Sequence, residues 1–304
     1  MLTLSVVINT KNEAKNIKRA LSSVGKIADE IIVVDMMSDD DTRGIAEEMG
    51  AKVFDYKKEH GFADPARNFA LTKATSDWIL ILDADEEIGK KLAENITKLI
   101  EVEEFDAYYL PRKNIIFDKW IENTGWWPDY QPRLFKKGHL EWPGKVHAQP
   151  IVKGSTKHLP PKEEYAITHY NYADLEQYLD KLNRYTTLTA KGSFDEKMVA
   201  PISAGQVFEK FSGEFLSRFF AHEGIKDGVH GMSLSLLQSM YELVTLLKIW
   251  ELGDYPSLSA DQNSGISHLR KFQKDLNYWI ADHGVKNSWG VKKIYWQVRR
   301  KIKL

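Results

Sequence analysis

The sequence predicts an α/β protein: a mostly parallel central sheet in residues 1–168, followed by a mainly helical region in residues 169–304. Three observations carry this expectation. Residues 1–110 alternate apolar strands with helix-like segments, the pattern of βαβ units. Trp78-Ile79-Leu80-Ile81-Leu82 is an unbroken apolar run, as in a strand buried on both faces. After Tyr170 the apolar residues recur mainly at helical spacing.

The elements follow in order. Leu4–Ile8 is a first strand, succeeded by the polar loop Asn9-Thr10-Lys11-Asn12-Glu13. A helix from Ala14 to Val24 places Ile17, Leu21 and Val24 on one face. Glu30–Asp35 is a second strand ending in an acid, and Ser38 to Thr42 suits the N-cap of a helix that ends near Gly50. Lys52–Tyr56 is a short third strand. Gly61–Pro65 is a turn into a helix carrying Arg67 and Asn68. From Asp106 to Thr168, strands at 107–111, 131–135 and 146–152 are joined by loops rich in Trp, Pro and Gly. Helices are expected over 204–222, 230–252 and 264–282, beyond one that starts near Asp174.

Bulk properties narrow the function. A net charge of -1 argues against whole-protein attraction to nucleic acid. With no cysteine, disulfides, thiolate catalysis and cysteine–zinc sites are ruled out, and a cytoplasmic setting is compatible. The start of the chain reads as a strand, not a signal peptide, and the absence of an 18-residue charge-free apolar run argues against a spanning helix. The tail Lys286–Leu304 holds seven Lys/Arg and no acid, with Val291, Tyr295, Val298 and Ile302 at helical spacing. It is either an amphipathic helix drawn to anionic lipid, peripheral at the inner face of the membrane, or a docking helix with a solvated basic face.

The chemistry concentrates after the apolar run, at Asp83-Ala84-Asp85-Glu86-Glu87. Carboxylates crowded this closely repel unless something positive sits among them, and a divalent cation is the usual solution. The alternative is a solvated acidic turn. Neither Gly-x-Gly-x-x-Gly after the first strand nor Gly-x-x-x-x-Gly-Lys occurs, which points to a nucleotide held by side chains and a metal. Trp120, Trp126, Trp127, Asp129, Arg133, Trp142 and His147 crowd one stretch; they form either a sugar-binding surface or a loop-rich aromatic core.

Five motifs in register resemble family 2 nucleotide-sugar glycosyltransferases of GT-A fold. They are Val-Ile-Asn-Thr-Lys-Asn-Glu (7–13), Ile-Val-Val-Asp (32–35), Ser-Asp-Asp-Asp-Thr (38–42), Ala-Arg-Asn-Phe-Ala-Leu (66–71) and Leu-Asp-Ala-Asp-Glu (82–86). Residues 125–135, Lys145-Val146-His147 and Asn171–Tyr185 resemble the branch that includes lipopolysaccharide-core glucosyltransferases. One departure is Met36-Met37, where relatives carry small residues.

The resemblance implies inverting transfer of a sugar from a nucleoside diphosphate, uridine favoured, to a glycan or lipid-linked acceptor. It implies nucleotide contacts from Thr10, Asn12, Glu13, Asp35 and Ser38, with Asp35 accepting the uracil N3–H. Arg67 would meet the base or diphosphate, and Asp83 the ribose or a metal-bound water. Asp85 would ligate Mg²⁺ or Mn²⁺, with His147 as a second ligand. Glu86 would support that site or cap the next helix. Asp129 is the expected general base, its pKa raised by partial burial, with Asp118 and Glu141 as rivals. Two other readings are a phosphohydrolase of Asp-x-Asp type and a non-catalytic carbohydrate-binding protein at a membrane surface.

Overall fold

β1 (Leu4–Thr10) is buried at every position, so it can only lie inside a sheet covered on both faces. The computed structural model describes residues 2–57, 64–143, 149–195, 202–256 and 262–303. After β1, α1 (Ile17–Val24) buries Ile17, Ala20, Leu21 and Val24, one stripe at helical spacing. β2 (Glu30–Asp35), α2 (Thr42–Glu48), β3 (Lys52–Asp55), α3 (Asp64–Leu71) and β4 (Trp78–Asp83) complete the alternation. β4 sends Leu80 and Leu82 into one core, with Val6, Ile8, Leu21 and Leu92. It sends Ile79 and Ile81 into the other, with Val7, Ile32 and Phe135. Each such side chain, fully buried, contributes roughly 1.5–3 kcal/mol.

β5 (Glu86–Ile88), α4 (Lys90–Val102), β6 (Ala107–Ile116), β7 (Lys119–Trp120), β8 (Asp129–Lys136), β9 (Leu140–Glu141), β10 (Ile151–Val152), β11 (Thr156–His158) and β12 (Ile167–Tyr172) follow. The main sheet runs β3-β2-β1-β4-β8-β6-β12-β5, with β7 and β11 also paired to β6. The strands β3, β2, β1 and β4 are all parallel. From β8 onward the directions mix, since β8 is antiparallel to both β4 and β6 while β12 is parallel to β6. β6 is longer than the expected 107–111 because β8 and β12 pair along its polar second half, which contains Arg112 and Asn114. Residues 61–63 of the expected Gly61–Pro65 turn and residues 146–148 of the expected 146–152 strand lie outside the described residues; Asp64 already opens α3, and within the described 149–152 only β10 is strand.

Two compact units result: Met1–Glu122 with Trp126–Asp174, and Asn123–Gly125 with Leu175–Leu304. The change falls after 174 and not after 168 because β12 still belongs to the sheet. The second unit contains α5 (Leu175–Asp195), α6 (Ala204–Leu216), α7 (Val229–Leu252), α8 (Gln262–Lys286) and α9 (Gly290–Ile302). α6 starts with a capping box between Ser203 and Gln206, then passes into a π-helical turn over 217–221. Asn123 and Thr124 join this unit by donating to the buried Asp227 carboxylate.

Candidate active site

The strand order reverses at β1: β2 and β3 extend to one side, and β4 lies on the other. In open α/β sheets the crevice at the carboxyl ends of such strands is where ligands bind. Register places Asn9 beside Asp83 and Thr10 beside Asp35 at this point. The amide nitrogen of Asn9 and the hydroxyl of Thr10 are buried without a hydrogen-bond partner among the described residues. A buried polar group left this way costs about 1–3 kcal/mol, so an incoming ligand that satisfies it is favoured.

On the β2 side the loop folds back on its own strand. Ser38 donates from its backbone N to Asp35 at 3.1 Å and from its hydroxyl at 2.5 Å. The Asn12 N–H donates to Ser38 Oγ at 2.9 Å, and the Asn12 side chain accepts from Asp39 N at 2.8 Å. Glu13 N–H donates to Thr42 Oγ1 at 2.8 Å. Thus Thr10, Asn12, Glu13, Asp35 and Ser38 do converge on adjoining strand ends and loops. Met37 takes a left-handed backbone, φ 62°, which gives a physical reason for small residues at the departure noted above.

On the β4 side arginines take over. Arg67 Nη2 meets Asp83 Oδ1 at 2.8 Å, and Arg133 Nη2 meets Asp83 Oδ2 at 2.6 Å. Arg133 also reaches Glu86 at 2.7 Å, while Glu86 accepts from the Asp83 N–H at 2.9 Å. Arg112 donates to Asp129 and lies 3.6 Å from Glu86. Burial pushes the Asp83 carboxyl up, but Arg133 and Arg67 outweigh it and hold it well below the usual carboxylate range. Three carboxylates and three guanidiniums therefore balance. The positive charge expected among these carboxylates is supplied at Asp83 and Glu86 by arginine. Glu86, fully buried, is no helix cap; α4 begins after Gly89.

Asp85 stands outside this arginine set. His169 Nε2 lies 3.5 Å from its Oδ2, and the Tyr170 N–H donates to its backbone carbonyl at 2.9 Å. His169 Nδ1 contacts Asn114 Oδ1 at 2.7 Å. The Asn114 amide nitrogen donates to the Trp126 carbonyl at 2.9 Å and approaches Asp129 at 3.3 Å. Its oxygen therefore faces the ring, which sets Nδ1 to donate to Asn114 and turns Nε2 toward Asp85.

Sequence comparison decides the family. An uncharacterized glycosyltransferase of Rickettsia felis is 30% identical over 260 residues, covering 83% of this chain and 90% of that protein. The model "Glycosyl transferase family 2" matches residues 5–152. The chain belongs to glycosyl transferase family 2. It is an enzyme of the glycosyltransferase class, as its motifs predict. The glycosyltransferase SunS of Bacillus subtilis is 33% identical over 155 residues, 49% of this chain and 35% of SunS. The crystal structure of S. aureus TarS 1-349 with UDP aligns at TM-score 0.44 and 16% identity over 86% of this chain and 95% of TarS 1-349. A Mycobacterium tuberculosis glucosyl-3-phosphoglycerate synthase with Mn²⁺ and UDP aligns at 0.31 and 23%, over 37% and 43% of the two chains. Likenesses this distant say nothing about chemistry.

Within this family-2 chain the three candidate bases separate cleanly. Asp118 is exposed in the turn between β6 and β7, and Glu141 is exposed on β9 beside Lys153. Asp129 sits in the buried network, bonded by Arg112, Asn114 and Gln131. Its pKa runs opposite to expectation. Burial raises it, but Arg112 and the two amides outweigh burial and lower it.

For a divalent ion, the oxygen of Asp85 with the nitrogen of His169 is a fitting pair of donors. His147 lies outside the described residues, and no three His or acidic side chains gather into a metal cage among the described ones. Of the tryptophans, Trp142 is core, its backbone tied twice to Asn68, whereas Trp120, Trp126 and Trp127 are half-buried. Sequence reasoning missed Arg112, Asn114 and His169. Their signal was polar residues at inward positions of alternating strands: Leu110, Asn114 and Ile116 on β6, Ile167 and His169 on β12, all buried.

Proposed function

We propose that the chain transfers a sugar from a nucleoside diphosphate sugar, with uridine the favoured base, to a hydroxyl of a glycan or lipid-linked acceptor, with inversion. The observation that carries this reading is the unpartnered Asn9 and Thr10 pair lying between Asp35 and Asp83 at the strand-order reversal. The base and ribose then meet the Thr10, Asn12, Glu13, Asp35 and Ser38 side, and the diphosphate meets Arg67 across Asp83. Mg²⁺ or Mn²⁺, when bound through Asp85 with His169 or His147, offsets the charge of the departing diphosphate.

The acceptor oxygen forms its bond to the anomeric carbon while the Asp129 carboxylate takes the acceptor proton. The bond from that carbon to the diphosphate oxygen breaks, and the leaving nucleoside diphosphate keeps the electron pair. Its lowered pKa leaves Asp129 ionised at neutral pH but a weaker base, so its part in proton removal rests on position more than on basicity. The cell-envelope acceptor class rests on the resemblance of residues 125–135 to lipopolysaccharide-core enzymes, and implies a cytoplasmic donor pool.

The test is release of nucleoside diphosphate from a panel of labelled nucleotide sugars, with Mn²⁺ and with EDTA. Turnover or binding of at least one donor, dependent on metal, is expected. A protein that binds none of them is a different kind of molecule from the one proposed.

A further inference from the structure

α9 shows its apolar side to water. Its packed side is fixed to α8. A Cβ added at Gly284 would come within 2.3 Å of the Trp296 ring, so that ring lies directly on the α8 backbone. Arg300 Nη1 meets Asp282 at 2.7 Å, and Lys286 meets the other oxygen of that carboxylate at 3.0 Å. With this side held, Val291, Ile294, Tyr295, Val298 and Ile302 remain 52–83% exposed. They recur at three- and four-residue spacing on one stripe along the helix. Trp289, just before the helix, is 89% exposed.

Scattered surface hydrophobics need no explanation, but a continuous stripe with a tryptophan at its end marks an interaction surface. Charge identifies the partner. Residues 286–304 carry seven lysines and arginines and no acid, so two copies of this helix would meet with like charges. An anionic bilayer surface satisfies both properties: the stripe enters the boundary between headgroups and acyl chains, and the basic residues lie against lipid phosphates. Among the described residues no helix is long and apolar enough to cross a membrane, so attachment through α9 is interfacial.

We infer that α9 is a membrane-surface helix that docks this glycosyltransferase on anionic lipid through Val291, Ile294, Tyr295, Val298 and Ile302, with Trp289 at the interface. The inference stands apart from the donor chemistry, since none of these residues belongs to the candidate active site.

The experiment is co-sedimentation of the whole protein with vesicles of phosphatidylcholine alone and of phosphatidylcholine with phosphatidylglycerol, at low and high salt. Binding to the anionic vesicles at least tenfold stronger than to the neutral ones is expected, and should fall with salt. The double variant Ile294→Glu, Val298→Glu changes only exposed positions, so helix content and melting temperature should hold while vesicle binding drops at least tenfold. The variant Lys292→Gln, Lys293→Gln should weaken binding and flatten its salt dependence. Three results would overturn the inference: no binding of the native protein to anionic vesicles, unchanged binding by the double variant, or a native dimer in solution that the double variant converts to monomer.

Discussion

The two sides of the strand-order reversal hold their acids in opposite ways. Asp35, at the end of β2, is held by neutral donors, the N–H and hydroxyl of Ser38. Asp83, at the end of β4, is held by two guanidiniums, and Asp129 on β8 by a third. Neutral donors orient a carboxylate and leave its charge for a ligand N–H. Guanidiniums cancel the charge and keep cations in place where phosphate oxygens would arrive. Under the proposed function, this difference divides the site into a half that reads the nucleotide and a half that handles charge.

Substitutions can break that division, and the largest effect belongs to Asp129. Asp129→Asn should leave donor affinity nearly unchanged and lower turnover by about 10²–10⁴, the usual range for a lost general base; normal turnover would remove it from that role. Arg133→Met strands Glu86 and half of Asp83 and should cost about 3–5 kcal/mol of stability, read by denaturant unfolding. The network should also respond to acid. The folded pKa values of Asp83 and Asp129 lie below their unfolded ones, so their contribution is present above about pH 4. It is lost as pH falls through the lower folded values.

Arg112→Gln sharpens the comparison from within the charged half. Arg112 lowers the Asp129 pKa, so its removal should raise that pKa and move the acid limb of the kcat/KM profile to higher pH. An unmoved limb would separate Arg112 from the base. Ser38→Ala, in the neutral half, should have the smallest effect. Losing the two hydrogen bonds of the hydroxyl, one given to Asp35 and one taken from Asn12, each worth about 1 kcal/mol, should weaken nucleotide binding about tenfold without altering the pH profile.

The neutral half was legible because it is local. Asp35 and Ser38 lie three positions apart, and the apolar run of β4 announces its own burial on both faces. The charged half was legible only in part. Asp83 and Asp129 stood out as acids beside apolar or aromatic runs, but their partners come from far along the chain: Arg133 is 50 positions from Asp83, and Asn114 is 55 from His169. β6 and β12 carry their polar residues at inward positions, and this reads as broken alternation until the neighbouring strands are known. The pKa of Asp129 was misjudged for the same reason. Burial is suggested by an aromatic loop, whereas Arg112 meets Asp129 only through the β6–β8 pairing.

Calorimetric titration with UDP tests the central claim most directly, comparing native protein and Asp85→Asn, each with Mn²⁺ and with EDTA. The account predicts that Mn²⁺ strengthens UDP binding to the native protein, and that Asp85→Asn loses this increment while remaining folded. Equal UDP affinity in all four titrations, or no UDP binding in any, would contradict it.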